Sequence, residues 1–98
     1  VNINGYKFKV TGISQNAFAK NKKIKSVTID KNVTSIGSNA FLNCSSLKSM
    51  QIKGTSIKKI GKNAFKGVGK NAVIRVPKKA KRSYASKLKK AGFGGTVK

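Results

Sequence analysis

Apolar residues recur along this chain with a long and regular spacing. A seven-residue block that ends in Asn-Ala-Phe occurs three times, at 12–18, 35–41 and 59–65. The phenylalanines that close the blocks are 23 and 24 residues apart. A fixed period of this size is typical of stacked repeats, because one unit cannot bury its apolar side without its neighbours.

A short alternation of apolar and polar residues follows each block. The alternations are Val27-Thr28-Ile29, Met50-Gln51-Ile52 and Ile74-Arg75-Val76. A period of two predicts a short strand with one buried face. The Asn-Ala-Phe segment, which follows a Ser or a Gly, is predicted to form one short helical turn.

The period divides the chain into three repeats between two ends. The repeats are 12–34, 35–58 and 59–77. Residues 1–11 alternate around Asn-Gly, a strong hairpin signal, so we expect an N-terminal hairpin cap. The residues of the hairpin expected to cover the open end of the stack are Tyr6, Phe8 and Val10. By size, 1–98 is a single domain.

The last segment, 78–98, is predicted to hold a basic helix that caps the third repeat. Pro77 suits a helix start and Gly92 suits a helix end. The helix would have one narrow apolar face, made of Ala80, Tyr84, Leu88 and Ala91. A membrane-surface helix and a nucleic-acid-binding arm remain alternatives, although the apolar stripe is thin for insertion.

The second repeat resembles a known family. From Ile36 through Ile52 the chain reads Ile-Gly-x-x-Ala-Phe-x-x-Cys-x-x-Leu-x-x-apolar-x-apolar. This line is similar to the BspA-like leucine-rich repeat of bacterial cell-surface proteins, and the resemblance covers residues 6–77. The first copy departs from the line at Ser14 and Asn21, and the third copy lacks the Cys and the Leu. The resemblance implies an extracellular, wall-associated, non-enzymatic adhesion or binding module. The sequence shows neither an initiator Met nor a signal peptide, so we expect a fragment or mature piece of a longer surface protein.

The expected fold class is therefore α/β. It is a short, right-handed leucine-rich-repeat solenoid with parallel strands, an N-terminal hairpin cap and a C-terminal basic helix cap. The outward strand positions form the extended binding surface of such folds. The candidate partner-binding residues are Lys25, Thr28, Lys48, Gln51 and Arg75. Strands lie about 4.8 Å apart, so Thr28, Gln51 and Arg75 are expected to stack as one column.

The charge bears on the partner more than on the fold. The chain has 23 Lys and Arg against one acidic residue, for a formal net charge of +22. Such a field favours anionic partners. Only Arg75 and Arg82 carry the guanidinium fork that reads phosphate or guanine, and the lysines are scattered over every segment. This dispersal favours a generally cationic surface, with a protein or an anionic cell-wall or glycan polymer as partner, over a nucleic-acid groove.

The side chains of common catalytic and metal sites are mostly missing. The chain has no His and one carboxylate side chain, Asp30, which excludes a Ser-His-Asp triad and paired carboxylates. The lone Cys44 and Asp30 cannot assemble a metal site. We therefore expect no enzymatic activity and no cofactor. Cys44 is either a small buried hydrophobe or a reactive thiol, and the first is favoured.

Three functions stay open at this point. The first is a surface binding or adhesion module. The second is a structural spacer or end cap of a longer repeat array with no ligand of its own. The third is nonspecific nucleic-acid binding, which the charge alone suggests and the scarcity of aromatic residues outside the core disfavours. The oligomeric state is open, and no apolar run is long enough to span a membrane.

Overall fold

The computed structural model describes residues 2–3, 6–7 and 12–98, which form a mixed α/β repeat fold. The strands are β1 Asn2–Ile3, β2 Tyr6–Lys7, β3 Ser26–Ile29, β4 Ser35–Ile36, β5 Ser49–Ile52, β6 Lys59–Ile60, β7 Val73–Arg75 and β8 Thr96–Val97. A short 3-10 segment, Lys78–Ala80, leads into the helix α1, Lys81–Lys90.

The larger sheet takes one strand from each repeat. β3, β5 and β7 pair in parallel, and the full strand order is β2-β1-β3-β5-β7-β8. The inward residues Val27, Met50 and Ile74 are buried. The residue that follows each of them along its strand faces outward. The prediction of short parallel strands with one buried face is confirmed. β4 and β6 form a second, two-stranded parallel sheet.

The strand β8 was not predicted from the sequence. Thr96 pairs in parallel with Val73, 23 residues earlier, so the strand period continues beyond the third repeat. The Thr96 N–H donates to the Ala72 carbonyl at 3.0 Å, and the Lys98 N–H donates to the Ile74 carbonyl at 2.8 Å. A strand of two residues is too short to give an alternation signal.

The opposite edge of the sheet is antiparallel. β1 pairs with β2 and also with β3. The pairing of β1 with β2 is the one that the predicted hairpin requires. The turn predicted at Asn4-Gly5, and the contacts predicted for the side chains of Tyr6, Phe8 and Val10, lie outside what the structure describes.

The Asn-Ala-Phe segments are β-turns, and the predicted helical turn is wrong. Asn16, Asn39 and Asn63 have φ of 60°, 59° and 60°. This left-handed region is incompatible with a right-handed helix, and Asn tolerates it better than most residues. In each turn the Ala N–H donates to the carbonyl three residues earlier, as from Ala40 to Gly37 at 3.3 Å. The recurrence of Asn is therefore explained by the positive φ at the third position of the turn.

A ladder of backbone hydrogen bonds joins the turns of neighbouring repeats. The Phe18 N–H donates to the Ala40 carbonyl, and the Phe41 N–H donates to the Ala64 carbonyl, both at 2.8 Å. The amide of Asn39 likewise donates to the next repeat, at 3.1 Å. Asn39 thus links neighbouring coils through its backbone N–H.

The glycine of each Ile-Gly pair allows the coils to approach closely. A Cβ added to Gly37 would lie 2.5 Å from the Gln15 nitrogen, and one added to Gly61 would meet the backbone of Ser38. The first repeat has Ser14 at this position, and Ser14 is exposed. The departure from the motif therefore occurs where the side chain has room.

Stacked aromatic rings run through the interior of the repeats. The Phe41 ring centroid lies 5.4 Å from that of Phe18 and 5.3 Å from that of Phe65, with near-parallel planes. Phe93 meets Phe65 edge to face at 6.1 Å. Phe41 and Phe65 are fully buried and Phe18 is partly buried. Phe41 and Phe65 are thus core residues and Phe18 packs against that core, while Phe93 adds one more ring to the column.

The helix α1 buries the face that the sequence indicates. The buried residues of that face are Ala80, Tyr84, Leu88 and Ala91. The Tyr84 hydroxyl donates to the Gly54 carbonyl at 3.0 Å and accepts from the Ile57 N–H at 3.1 Å. Gly92, at φ 93°, follows the helix end as expected. The apolar face is thus occupied by the protein and is not available to a membrane. Nowhere in the described ranges is a helix long and apolar enough to cross one.

Candidate functional site

The outward side of the parallel strands carries the residues predicted to bind a partner. We define the strand face by Lys25, Thr28, Lys48, Gln51 and Arg75. The register pairs Thr28 with Gln51 and Gln51 with Arg75, so these three residues form one row across β3, β5 and β7. Gln51 and Arg75 are exposed and Thr28 is half-buried. The predicted column is therefore present in the sheet.

The two lysines of the strand face lie just before the strands. Lys25 and Lys48 are exposed, and the Lys48 N–H donates to the Lys25 carbonyl at 2.9 Å, which places them on adjacent coils. The Val73 N–H continues this ladder to the Lys48 carbonyl at 2.9 Å. The residue before Val73 is Ala72, which is buried. The lysine pair therefore has no counterpart in the third repeat.

A shallow depression of about 260 Å³ lies where β5 and β7 end. Its lining residues are Gln51, Ile52, Lys53, Arg75, Val76 and Pro77. It brings two predicted residues, Gln51 and Arg75, together with Lys53 and Pro77, which sequence reasoning missed. Lys53 and Pro77 are 24 residues apart, which is one repeat period. Each directly follows a predicted apolar–polar alternation, so extending the repeat alignment by one position would have indicated both residues.

The strand face and this depression present hydrogen-bond donors and positive charge. Arg75 offers a guanidinium fork suited to a carboxylate or a phosphate, Lys53 adds an ammonium, and the Gln51 amide can donate and accept. Val76 and Pro77 supply apolar surface beside them. Within the described chain no three His, Cys, Asp or Glu side chains come together as a metal site would need. The arrangement can hold an anionic group that has an apolar neighbour.

Cys44 lies beneath the turns and away from the strand face. It is fully buried, and its Sγ–H donates to the Phe18 carbonyl at 3.0 Å. Burial raises the pKa of the thiol, and a hydrogen bond from the Asn21 backbone opposes that shift. Val68 holds the equivalent position of the third repeat and is also buried. The favoured interpretation of Cys44 as a small hydrophobe is confirmed.

We expect iodoacetamide to alkylate Cys44 at least about tenfold more slowly in the folded protein than in urea, because the thiolate is the nucleophile and the thiol is enclosed. The raised pKa also determines how stability depends on pH. The contribution of this thiol to the free energy of unfolding is full below the ordinary thiol pKa and is lost as the pH rises through the higher folded pKa. Mass spectrometry of quenched time points measures the rate, and equal rates in both conditions would contradict the burial.

Comparison with known proteins places the repeat pattern in a family. A family model described as "BspA type Leucine rich repeat region (6 copies)" matches residues 2–91, which is most of the 98-residue chain. The matched span contains the three Asn-Ala-Phe blocks and α1. Neither a search of curated proteins nor a search of solved structures gave a match.

Proposed function

Because the chain belongs to the BspA-type leucine-rich repeat family, we propose that it is a non-enzymatic binding module that takes its partner on the strand face. The family suggests a repeat module for protein interaction. The observation that carries the proposal is the strand register, which aligns Thr28, Gln51 and Arg75 across three repeats. Aligned outward positions of this kind form extended binding surfaces in repeat proteins.

We propose a protein or an anionic cell-wall or glycan polymer as the partner. The net charge of +22 supports an anionic one. Arg75 and Lys53, at the rim of the depression, would take a carboxylate or a phosphate, and Pro77 would contact the apolar part of the same ligand. A ligand that carries an acidic group on an apolar frame fits these residues better than a ligand that is only charged.

The setting of the module is also proposed. The family is typical of bacterial cell surfaces, which supports an extracellular adhesion role.

We propose a right-handed solenoid in one domain, 1–98, with repeats at 12–34, 35–58 and 59–77. In this proposal the hairpin of 1–11 and the helical segment of 78–98 cap the two ends. The pairing of β1 with β3 and the packing of Tyr84 against Gly54 support these caps.

The test compares two triple variants that have the same chemistry and the same loss of charge. One changes the row of the strand face, with Thr28→Ala, Gln51→Ala and Arg75→Ala. The other changes exposed residues elsewhere, with Thr55→Ala, Gln15→Ala and Arg82→Ala. Retention is measured on immobilised heparin, polyglutamate and duplex DNA, at low salt and at about 0.5 M salt, where the Debye length is roughly 4–5 Å.

We expect one probe to hold the wild-type protein at high salt, the strand-face variant to lose that retention, and the control variant to keep it. Equal loss in both variants would place the binding elsewhere. Release of all three probes at the same salt would favour the spacer function, since charge alone would then explain the retention. A steep salt dependence confined to DNA, with a slope near −0.9 per phosphate contact, would favour nucleic-acid binding.

A further inference from the structure

A second and larger depression lies on the turn side of the repeats, outside the strand face. It measures about 550 Å³. We call it the turn depression, and its lining residues are Lys20, Lys22, Asn43, Ser45 and Gly67. None of them belongs to β3, β5 or β7. The two depressions also have no lining residue in common.

Three of these residues occupy the same position in successive repeats. Lys20, Asn43 and Gly67 follow one another at the repeat period and have φ of 64°, 57° and 84°. The Lys20 N–H donates to the second repeat, at the Leu42 carbonyl, and the Asn43 N–H donates to the third, at the Lys66 carbonyl. The turn depression is thus lined by a row of residues with positive φ, one from each repeat, and backbone hydrogen bonds of Lys20 and Asn43 join neighbouring coils along this row. We call this row the ladder.

Lys20 is the unusual member of this ladder. Gly and Asn adopt positive φ at little cost, whereas a long side chain such as Lys does not. The first repeat therefore holds a lysine against its backbone preference, at the rim of a depression that a second lysine, Lys22, also lines. Unfavourable backbone conformations of this kind cluster at ligand sites.

The chemistry of the lining fits a ligand that is both anionic and rich in hydroxyl groups. Lys20 and Lys22 are exposed ammonium groups, which bind phosphate as point charges. The Asn43 amide and the Ser45 hydroxyl can each donate and accept, as hydroxyl groups require. The lining includes neither an apolar side chain nor a carboxylate. Its volume falls within the range of small-molecule sites, roughly 300–1,000 Å³.

We propose that the turn depression binds the phosphate ester of a polyol. Lys20 and Lys22 hold the phosphate, while Asn43 and Ser45 hydrogen-bond to the hydroxyl groups of the polyol. A soluble sugar phosphate and a phosphoglycerol lipid headgroup share this chemistry. The site is independent of the function proposed for the strand face, because different residues form it.

The test again uses variants that are matched in charge. Lys20→Asn with Lys22→Asn removes both ammonium groups, and the new Asn at 20 is the residue that the second repeat has there, so the turn is retained. Lys62→Asn with Lys89→Asn removes the same charge from exposed positions outside the depression. The probes are glucose 6-phosphate, glucose and inorganic phosphate at about 0.15 M salt, followed by amide NMR shifts, with thermal unfolding as the check on folding.

We expect glucose 6-phosphate to shift the amides of Asn43, Ser45 and Gly67 saturably and to bind more tightly than glucose or inorganic phosphate. The Lys20 and Lys22 variant should bind about tenfold more weakly or worse, as loss of charged hydrogen bonds implies. The control variant should match the wild type. Equal weakening in both variants, or equal binding of inorganic phosphate, would overturn the proposal.

Vesicles distinguish the source of the ligand. Phosphatidylglycerol carries the phosphate and a polyol, whereas phosphatidic acid carries the phosphate alone. Preference for phosphatidylglycerol that the Lys20 and Lys22 variant loses, with no binding of glucose 6-phosphate, would assign the site to a lipid headgroup. Equal binding to both vesicles by all variants, with no soluble ligand bound, would show only general attraction to anionic surfaces and would overturn the site.

Discussion

Phe41→Ala is expected to lower the free energy of unfolding by about 3–5 kcal/mol. The ring is fully buried and stacks on Phe18 at 5.4 Å and on Phe65 at 5.3 Å. Its removal leaves a cavity between two repeats and breaks both ring contacts, and each aromatic contact contributes roughly 0.5–1.5 kcal/mol beyond burial. Urea unfolding, followed by circular dichroism, gives the free energy directly. A domain of marginal stability loses much of its folded population to a change of this size.

Phe18→Ala is the matched control for this prediction. Phe18 belongs to the same column, yet it is only partly buried and stacks on Phe41 alone among the described ring contacts. Its loss should therefore be clearly smaller than that of Phe41→Ala. If the two substitutions have the same effect, the column does not transmit packing from repeat to repeat as its geometry indicates.

Gly61→Ala is expected to destabilise the fold by about 1–3 kcal/mol, the usual range for forced overpacking. The added Cβ would lie 2.6 Å from the Ser38 Cα and 2.7 Å from the Gly37 carbonyl carbon. These are backbone atoms of the preceding repeat, so relief requires the two coils to separate. For a domain of this size, each kcal/mol lowers Tm by roughly 4–8 °C. Thermal unfolding measures the shift.

Gly94→Ala tests whether that effect comes from coil contact or from loss of glycine in general. A Cβ at Gly94 meets nothing within 4 Å. The substitution should leave stability unchanged or raise it by about 0.4–1 kcal/mol, because it restricts the unfolded chain. A comparable loss of stability at Gly61 and Gly94 would rule out close coil approach as the cause.

The repeat pattern and the inward strand positions were predictable because burial recurs with the period of the chain. Val27, Met50 and Ile74 alternate with polar residues, and that alternation reports a half-buried strand whatever its neighbours are. The apolar face of α1 was predictable for the same reason at a helical period. The row of Thr28, Gln51 and Arg75 followed once the spacing of 23 and 24 residues was combined with parallel pairing.

The features that were missed depend on information that residue type does not carry. Asn favours both turns and helix starts, so the sequence alone did not show that Asn16 and its equivalents take positive φ. The strand β8 forms because its backbone meets β7 in register, and its two residues have no pattern of their own. Lys53 and Pro77 line a depression that exists only when two strand ends lie side by side.

The backbone ladder between repeats also governs how the chain can fold. Each rung joins residues about one period apart, as from Phe18 to Ala40 and from Phe41 to Ala64. The entropy lost in closing a loop depends on the logarithm of the loop length, and here that length does not grow with the number of repeats. A longer array of the same repeats would therefore meet the same entropic cost at every coil. Its folding could spread outward from any docked pair of neighbours without waiting for distant parts of the chain to meet.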